Sequence, residues 1–339
     1  MDHWTTMESE TYSQSVYRQF VCRQPGAVPF GAGFSLGLQN LVSKIESLAI
    51  PAEPVRAVRK ALCPPGLLPG RPDDHAAYDG IYPEESLRLR RFYNLGAGSF
   101  GHPYWTNVDR AHDWYEVIPN EAYSLDIDLI SMTRLPIEDN TAELVYSGHL
   151  LEHLPDESAH RVLREAYRIL KPGGLLRVST PDILLEYRAF KERDWPYFSW
   201  RHYHAKAGRD SQPFSRPLNQ ASIQQLFLYR FASHVSTLHV ASTTERIDDA
   251  KVDELFSTLP LCEALDYCTI RCDPQLQHTY PGNHISWWSF NKMRMAMLNA
   301  GFRKVFHSGY GQSFAPPMRN THLFDRMFPA VSLYVEARK

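Results

Sequence analysis

From residue 91 onward, short apolar runs alternate with glycine-containing loops: "RFYNL" at 91, "WTNVD" at 105, "YSLDI" at 123, "AELVYS" at 142 and "LLRVST" at 175. Each is strand-length and rich in the β-branched and aromatic side chains that suit a pleated surface. Between the last two, "DESAHRVLREAYRIL" sets Val162, Leu163, Ala166, Ile169 and Leu170 along one helical stripe. The "KPGG" that follows is suited to ending a helix. Strand, helix, strand in that order predicts a parallel pair joined by a right-handed crossover. Later, "NKMRMAMLNAGF" reads as a helix ending at Gly301, and "KVFHSGY" and "VSLYVEA" read as two strands able to pair antiparallel. The expected class is α/β, a sheet covered by helices.

The texture differs on either side of this rhythm. Upstream, "FSLGLQNLVSKIESL" carries Phe34, Leu38, Leu41, Val42, Ile45 and Leu48 at helical spacing, and "CPPGLLPGRPDD", 63 to 74, reads as a connector that no helix can cross. Residues 183–285 lack the strand–helix alternation and are aromatic, as in "RDWPYFSWRHYH" and "NHISWW". Four regions are expected: a helical extension over 1–90, a core over 91–182, an inserted lid over 183–285, and a completion of the sheet over 286–339.

Composition narrows the function classes. The 339 residues hold 36 Lys and Arg against 38 Asp and Glu, a formal charge of −2, with no basic run. Nonspecific attachment to nucleic acid or to an anionic membrane is not expected from such a balance. The first residues lack the pattern of a signal peptide, and no run approaches a membrane span, so a cytoplasmic protein is expected. Five cysteines stand at 22, 63, 262, 268 and 272 without paired zinc-ribbon spacing. Reduced thiols in packing positions account for Cys262, Cys268 and Cys272 more simply than zinc does. The pattern leaves the oligomeric state open.

Candidate chemistry begins directly after the first strand. Gly96, Gly98 and Gly101 make a G-x-G-x-x-G loop, and Asp109 ends the next strand. Such a loop lets backbone N–H groups approach a bound nucleotide or amino acid, and an acid at the second strand accepts hydrogen bonds from ribose hydroxyls. The glycine spacing alone fits S-adenosylmethionine and NAD(P) equally.

The segments "NLGAG", "WTNVD", "LPIEDNTAELVYSGHLLEHL" and "EAYRILKPGGLLRVSTPD", in this order and spacing, resemble the class I S-adenosylmethionine-dependent methyltransferases, in particular the type-11-like group. The resemblance covers roughly 91–182, with a weaker echo in "NAGFRK" and "SLYVEARK". It implies a Rossmann-like, seven-stranded, mostly parallel sheet of order 3-2-1-4-5-7-6, flanked by helices. It also implies that Asn94, Gly96 and Gly98 lie against the methionine part of the cofactor and Asp109 on its ribose. Ile130, Ser131 and Met132 would lie beside the adenine, and Ser147 and His149 would face the methyl group. Asn94 departs from the acid many relatives carry. The interval from Gly98 to Asp109 is also shorter than the usual 20 or so residues. A parallel crossover needs about a dozen residues, so the first helix is expected to shrink to a turn.

"YSGHLLEHLPDE", 146 to 157, concentrates the titratable groups. His149 is the leading candidate for a general base toward a hydroxyl acceptor, with capping of the next turn as its structural role. Glu152 and His153 are expected to scaffold it. If 149, 152 and 153 share one helix face, His149, Glu152 and His153 together offer a divalent metal site, resembling the Glu-x-x-Glu-His arrangement of ubiquinone-type O-methyltransferases with a histidine for the first acid. His284, near His278, Tyr280, Trp287 and Trp288, is a second catalytic or acceptor-site candidate. The expected function is methyl transfer to the oxygen or nitrogen of a small biosynthetic acceptor. A carbon acceptor such as a prenyl diphosphate with magnesium, an NAD(P)-dependent oxidoreductase and a noncatalytic cofactor-binding protein stay open.

Overall fold

The apolar runs fall where strands form: β1 Phe92–Leu95, β2 Trp105–Asp109, β3 Ser124–Asp126, β4 Ala142–Gly148, β5 Leu170–Pro181, β6 Lys304–Ser308 and β7 Ser332–Arg338. The computed structural model describes residues 74–98, 100–110, 124–198, 214–241 and 245–339. The helix expected over 34–48 and most of the 63–74 connector lie outside the described residues. The strands form one sheet of order β3-β2-β1-β4-β5-β7-β6. The first five run parallel, and β7 pairs antiparallel with both β5 and β6. This is the sheet order implied by the family resemblance.

One face of the sheet carries Tyr93, Leu95, Val108, Val145, Leu176, Val178, Val335 and Ala337. Two helices cover it. The first, α2 Asp156–Ile169, buries Ala159, Val162, Leu163, Ala166 and Ile169, and the second, α7 Phe290–Ala300, buries Met293, Ala296 and Met297. Helix α2 also holds the "LPIED" loop: Glu165 accepts from the Leu135 amide at 2.7 Å, and Arg168 donates to the carbonyls of Leu135 and Ile137.

The opposite face, over β1, β2 and β4, is covered differently. Residues 96–104 are too few for a helical crossover, and among the described residues they form none. Aromatic side chains fill the space instead. Tyr78, which precedes helix α1 Glu84–Arg88, packs edge-on against Phe92, while Phe324 meets Trp105 at 5.0 Å and Tyr146 at 5.0 Å between ring centroids. Beside them Arg177 of β5, fully buried, pairs with Asp325 and Glu336 and donates to the Gly309 and Gln312 carbonyls.

Strand β5 departs from the pattern-based expectation. It starts at Leu170, not 175, and "KPGG" continues it in place of capping α2. The register slips between Ala142 and Leu144, so the extra residues form a bulge. Tertiary bonds override the local signal: Lys171 pairs with Glu143, Gly173 donates to the Lys339 carbonyl, and the Lys339 amide donates to Gly174.

Within 183–285 lie helices α3 Ile183–Lys191, α4 Ile223–Tyr229, α5 Asp249–Thr258 and α6 Leu261–Thr269. Asp182, Ser222 and Asp248 cap the first three through side-chain oxygens. These helices share an aromatic core in which Phe190 stacks on Phe227 at 4.6 Å and Phe256 closes edge-on. Trp288 is buried in the main core and Trp287 donates to Asp266, so both tryptophans are used in packing. Cys262 is exposed, whereas burial pushes the thiols of Cys268 and Cys272 up to about 12. Among the described residues no helix is long and apolar enough to cross a membrane.

Candidate active site

Parallel strands deliver their next residues to a common edge, and here the carboxyl ends of β1, β2 and β4 bring Gly96, Asp109 and Ser147 together. Gly96 takes a φ of +69°, and a Cβ placed on it would come within 2.8 Å of the Leu150 side chain. Glycine is therefore required there twice over, by backbone conformation and by close packing. Two residues on, the Gly98 amide donates to Asp109 Oδ2 at 2.7 Å, and the Arg110 amide donates to Oδ1 at 2.8 Å. Burial raises the Asp109 carboxyl above the ordinary aspartate value, against the lowering effect of these two donors and of nearby His153.

Asn94 and Ser147 are buried on the neighbouring strands β1 and β4. Neither Asn94 Oδ1 nor Ser147 Oγ has a hydrogen-bond partner among the described residues. Buried polar atoms of this kind call for a partner.

The adenine-side candidates separate. Ser131 is exposed and donates to Asp128 Oδ2 at 2.8 Å, whereas the Met132 side chain is buried in the main core. Above this edge, Arg110 donates to His278 Nδ1 at 2.6 Å, and His278 Nε2 stands 4.0 Å from Asp128. The 276–284 segment thus reaches across the ends of β2 and β3. No local motif announces the Arg110–His278 contact, since the two residues lie 168 positions apart.

His149 follows β4 with a φ of +53°, a conformation uncommon for a non-glycine residue. Its amide donates to the Ser179 carbonyl. Nδ1 lies 2.9 Å from Glu152 Oε1, and Nε2 lies 2.8 Å from Ser332 Oγ. Glu152 is 1% exposed. His149 Nδ1 is the group that faces Oε1, and Oε2 has no hydrogen-bond partner among the described residues. Burial works against its charge, yet His149 and then His153 hold its carboxyl below the usual glutamate range.

The expected sharing of one helix face by His149, Glu152 and His153 does not occur. Leu151–His153 is a single 3-10 turn, and left-handed His149 lies outside it. The side chains that converge are Glu152, His153 and His284, with one ligand-capable atom from each lying within 4.8 Å of the others. His284 arrives from the far end of the 183–285 region, where Ser233 Oγ accepts from its amide. Its ring lies edge-on to His153 at 4.8 Å.

Residues 104–178, from just before β2 to late in β5, match the family model described as a methyltransferase domain. Over these residues the core is a methyltransferase domain. The match decides between the two cofactors that the glycine spacing left open. Among curated proteins, the chain is 46% identical over 50 residues to the ubiquinone/menaquinone biosynthesis C-methyltransferase UbiE of Desulfotalea psychrophila, covering 15% of this chain and 20% of the relative. It is 28% identical over 127 residues to the demethylmenaquinone methyltransferase of Bacillus pumilus, covering 31% and 52%. The chain thus spans about half or less of the length of these relatives. A solved S-adenosylmethionine-dependent methyltransferase from Mesorhizobium loti is 15% identical over 74% of this chain and 90% of its own, with a TM-score of 0.34, too slight a likeness to argue from.

Proposed function

We propose that the protein moves a methyl group from S-adenosylmethionine to the oxygen or nitrogen of a small biosynthetic acceptor in the cytoplasm. The observation that carries this reading is the unpartnered, buried Asn94 Oδ1 on the strand that leads into the Gly96–Gly98 loop, with Asp109 at the end of the strand beside it. They fit a ligand that combines an amino acid with a nucleoside. Asn94 Oδ1 offers an acceptor to an ammonium group, and Asp109, held by the Gly98 amide, offers its remaining carboxylate lone pairs to ribose hydroxyls. S-adenosylmethionine supplies, when bound, an activated methyl whose leaving group needs no proton.

What remains for the chain is alignment, exclusion of water and removal of the acceptor's proton. His149 suits the last task. Glu152 faces its Nδ1, and Ser332, whose hydroxyl is directed to the Phe328 carbonyl, accepts from its Nε2; an acceptor that displaces Ser332 meets the ring at Nε2, and the carboxylate stabilises the charge that the ring acquires. His284 stands on the acceptor side, carried there by the segment that spans the strand ends.

A carbon acceptor is the second reading, favoured by the name of the Desulfotalea psychrophila relative, a C-methyltransferase. Incubation of the protein with isotopically labelled S-adenosylmethionine and metabolite extracts, followed by mass spectrometry, tests both readings and identifies the methylated atom. No labelled product, with no thermal stabilisation by S-adenosylhomocysteine, overturns the proposal. Stabilisation without a product points to a noncatalytic binder.

A further inference from the structure

We propose that Glu152, His153 and His284 bind one divalent first-row transition ion of the zinc class. The site is separate from the strand-end loop that is read as the cofactor's place, and it does not depend on which acceptor is methylated.

Three observations converge on it. First, Glu152 is buried, and its Oε2 lacks a hydrogen-bond partner among the described residues. His149 Nδ1 faces only Oε1, so the second oxygen of this buried group is left for another partner. Second, both histidines are turned by the backbone into ligand geometry. His153 Nδ1 lies 2.9 Å from the Asn283 carbonyl, and His284 Nδ1 lies 2.6 Å from the Arg230 carbonyl. A carbonyl can only accept, so each Nδ1 carries the proton and each Nε2 is the ring's basic nitrogen. A metal-binding histidine is ordinarily fixed in this way by the bond its other nitrogen makes.

Third, the two segments that supply the ligands are fastened to each other. Ile285 and Ser286 amides donate to the Glu152 carbonyl at 2.8 and 3.2 Å, and Ser286 Oγ donates to the Leu151 carbonyl at 2.9 Å. The site is therefore framed without the ion. Bonds of about 2.0–2.1 Å to zinc place ligand atoms roughly 3.3 Å apart. The three here lie within 4.8 Å, and His153 Nε2 is 3.9 Å from Glu152 Oε1, so a bound ion draws the ligand atoms closer together.

Two imidazoles and one carboxylate favour zinc, cobalt or ferrous iron over magnesium, which prefers oxygen ligands. Three protein ligands leave a fourth position for water or for an oxygen of a bound molecule. His149, at 2.9 Å from Glu152 Oε1, then acts as the outer partner that orients the ligating carboxylate.

The test uses the full chain, stripped with a chelator and dialysed against zinc alone. Metal content is read by mass spectrometry and ligand geometry by the visible spectrum with cobalt substituted. Wild type is expected to hold one ion per chain. His153→Asn and His284→Asn keep an amide N–H close to the Nδ1 position but remove Nε2. Each is expected to weaken zinc by at least tenfold, with an unchanged unfolding midpoint in chelator. His149→Gln is expected to keep the one-ion stoichiometry and the cobalt spectrum. Absence of zinc from wild type above the chelated control overturns the proposal, as does zinc held equally by the two asparagine variants. Should either asparagine variant fail to fold, the other and Glu152→Gln decide by the same readout.

Discussion

Nδ1 of His149 and Oε1 of Glu152 face each other at 2.9 Å in a pocket where both side chains are almost wholly buried. Removing the ring leaves the buried Glu152 carboxylate without the group that faces its Oε1, at a cost of about 3–5 kcal/mol. His149→Ala is therefore expected to lower stability by that amount and to cut turnover by about a hundredfold or more, with little change in S-adenosylhomocysteine affinity. Adding Glu152→Gln should recover much of the stability and none of the turnover. Denaturant unfolding and steady-state assays of the double-mutant cycle separate the two effects, and unchanged turnover in His149→Ala removes it from the chemistry.

The same pair sets a pH dependence. The Glu152 carboxyl is held below its unfolded value, so its contribution to stability is fully present above the ordinary glutamate range. Stability should fall as pH drops below about 4.3 and the loss should be complete once the folded carboxyl protonates. Urea unfolding across pH 3 to 7 is expected to show this decline in wild type and a shallower one in Glu152→Gln.

Gly96→Ala is expected to be disproportionately harmful, because the new methyl group meets Leu150 at 2.8 Å in a backbone held at φ +69°. A loss of more than about 1 kcal/mol in stability follows from the conformation alone. Leu150→Ala should relieve the collision but not the strained backbone. Thermal unfolding and S-adenosylhomocysteine titration of both single variants and the double test this.

Asp109→Asn should leave folding intact or slightly improved. Burial raises the carboxyl's folded value, so its ionised form is a cost to the fold above that value. Cofactor affinity should fall by about tenfold or more, since a hydrogen bond to a charged acceptor contributes about 1.5–3 kcal/mol. Calorimetric titration with S-adenosylhomocysteine gives the answer, and equal affinity would remove Asp109 from ribose binding.

Arg177→Met is predicted to be the most damaging single change away from the site. It leaves Asp325 and Glu336 buried without their cation, at a cost of about 3–5 kcal/mol. Replacing all three by apolar residues of similar volume should restore most of that loss in a thermal melt.

The sheet was legible because its strands are local apolar runs, and because the helix α2 stripe of Val162, Leu163, Ala166 and Ile169 has one period throughout. The "KPGG" bulge was not, since its partners Glu143 and Lys339 are distant in sequence. At the strand ends, the positions of Gly96, Gly98 and Asp109 were readable from spacing, and that of Ser147 from the family resemblance. The grouping of His284 with Glu152 and His153, and of Arg110 with His278, was not, because it depends on how residues 276–288 return to the sheet. A helical period assumed for 149–153 also failed, as one left-handed residue followed by a 3-10 turn points the side chains elsewhere.

Strand β5 sits between β4 and β7, yet β7 is made only after the whole of 183–331 has been synthesised. During that interval one side of β5 has no neighbour, and its run from Gly174 to Pro181 is an open template, with Leu175, Leu176 and Val178 exposed, for another chain. The nascent polypeptide therefore has its greatest need of a chaperone in the window between residues 181 and 332. Chains that stop short of β7 should collect in inclusion bodies, while the 339-residue chain stays in the supernatant.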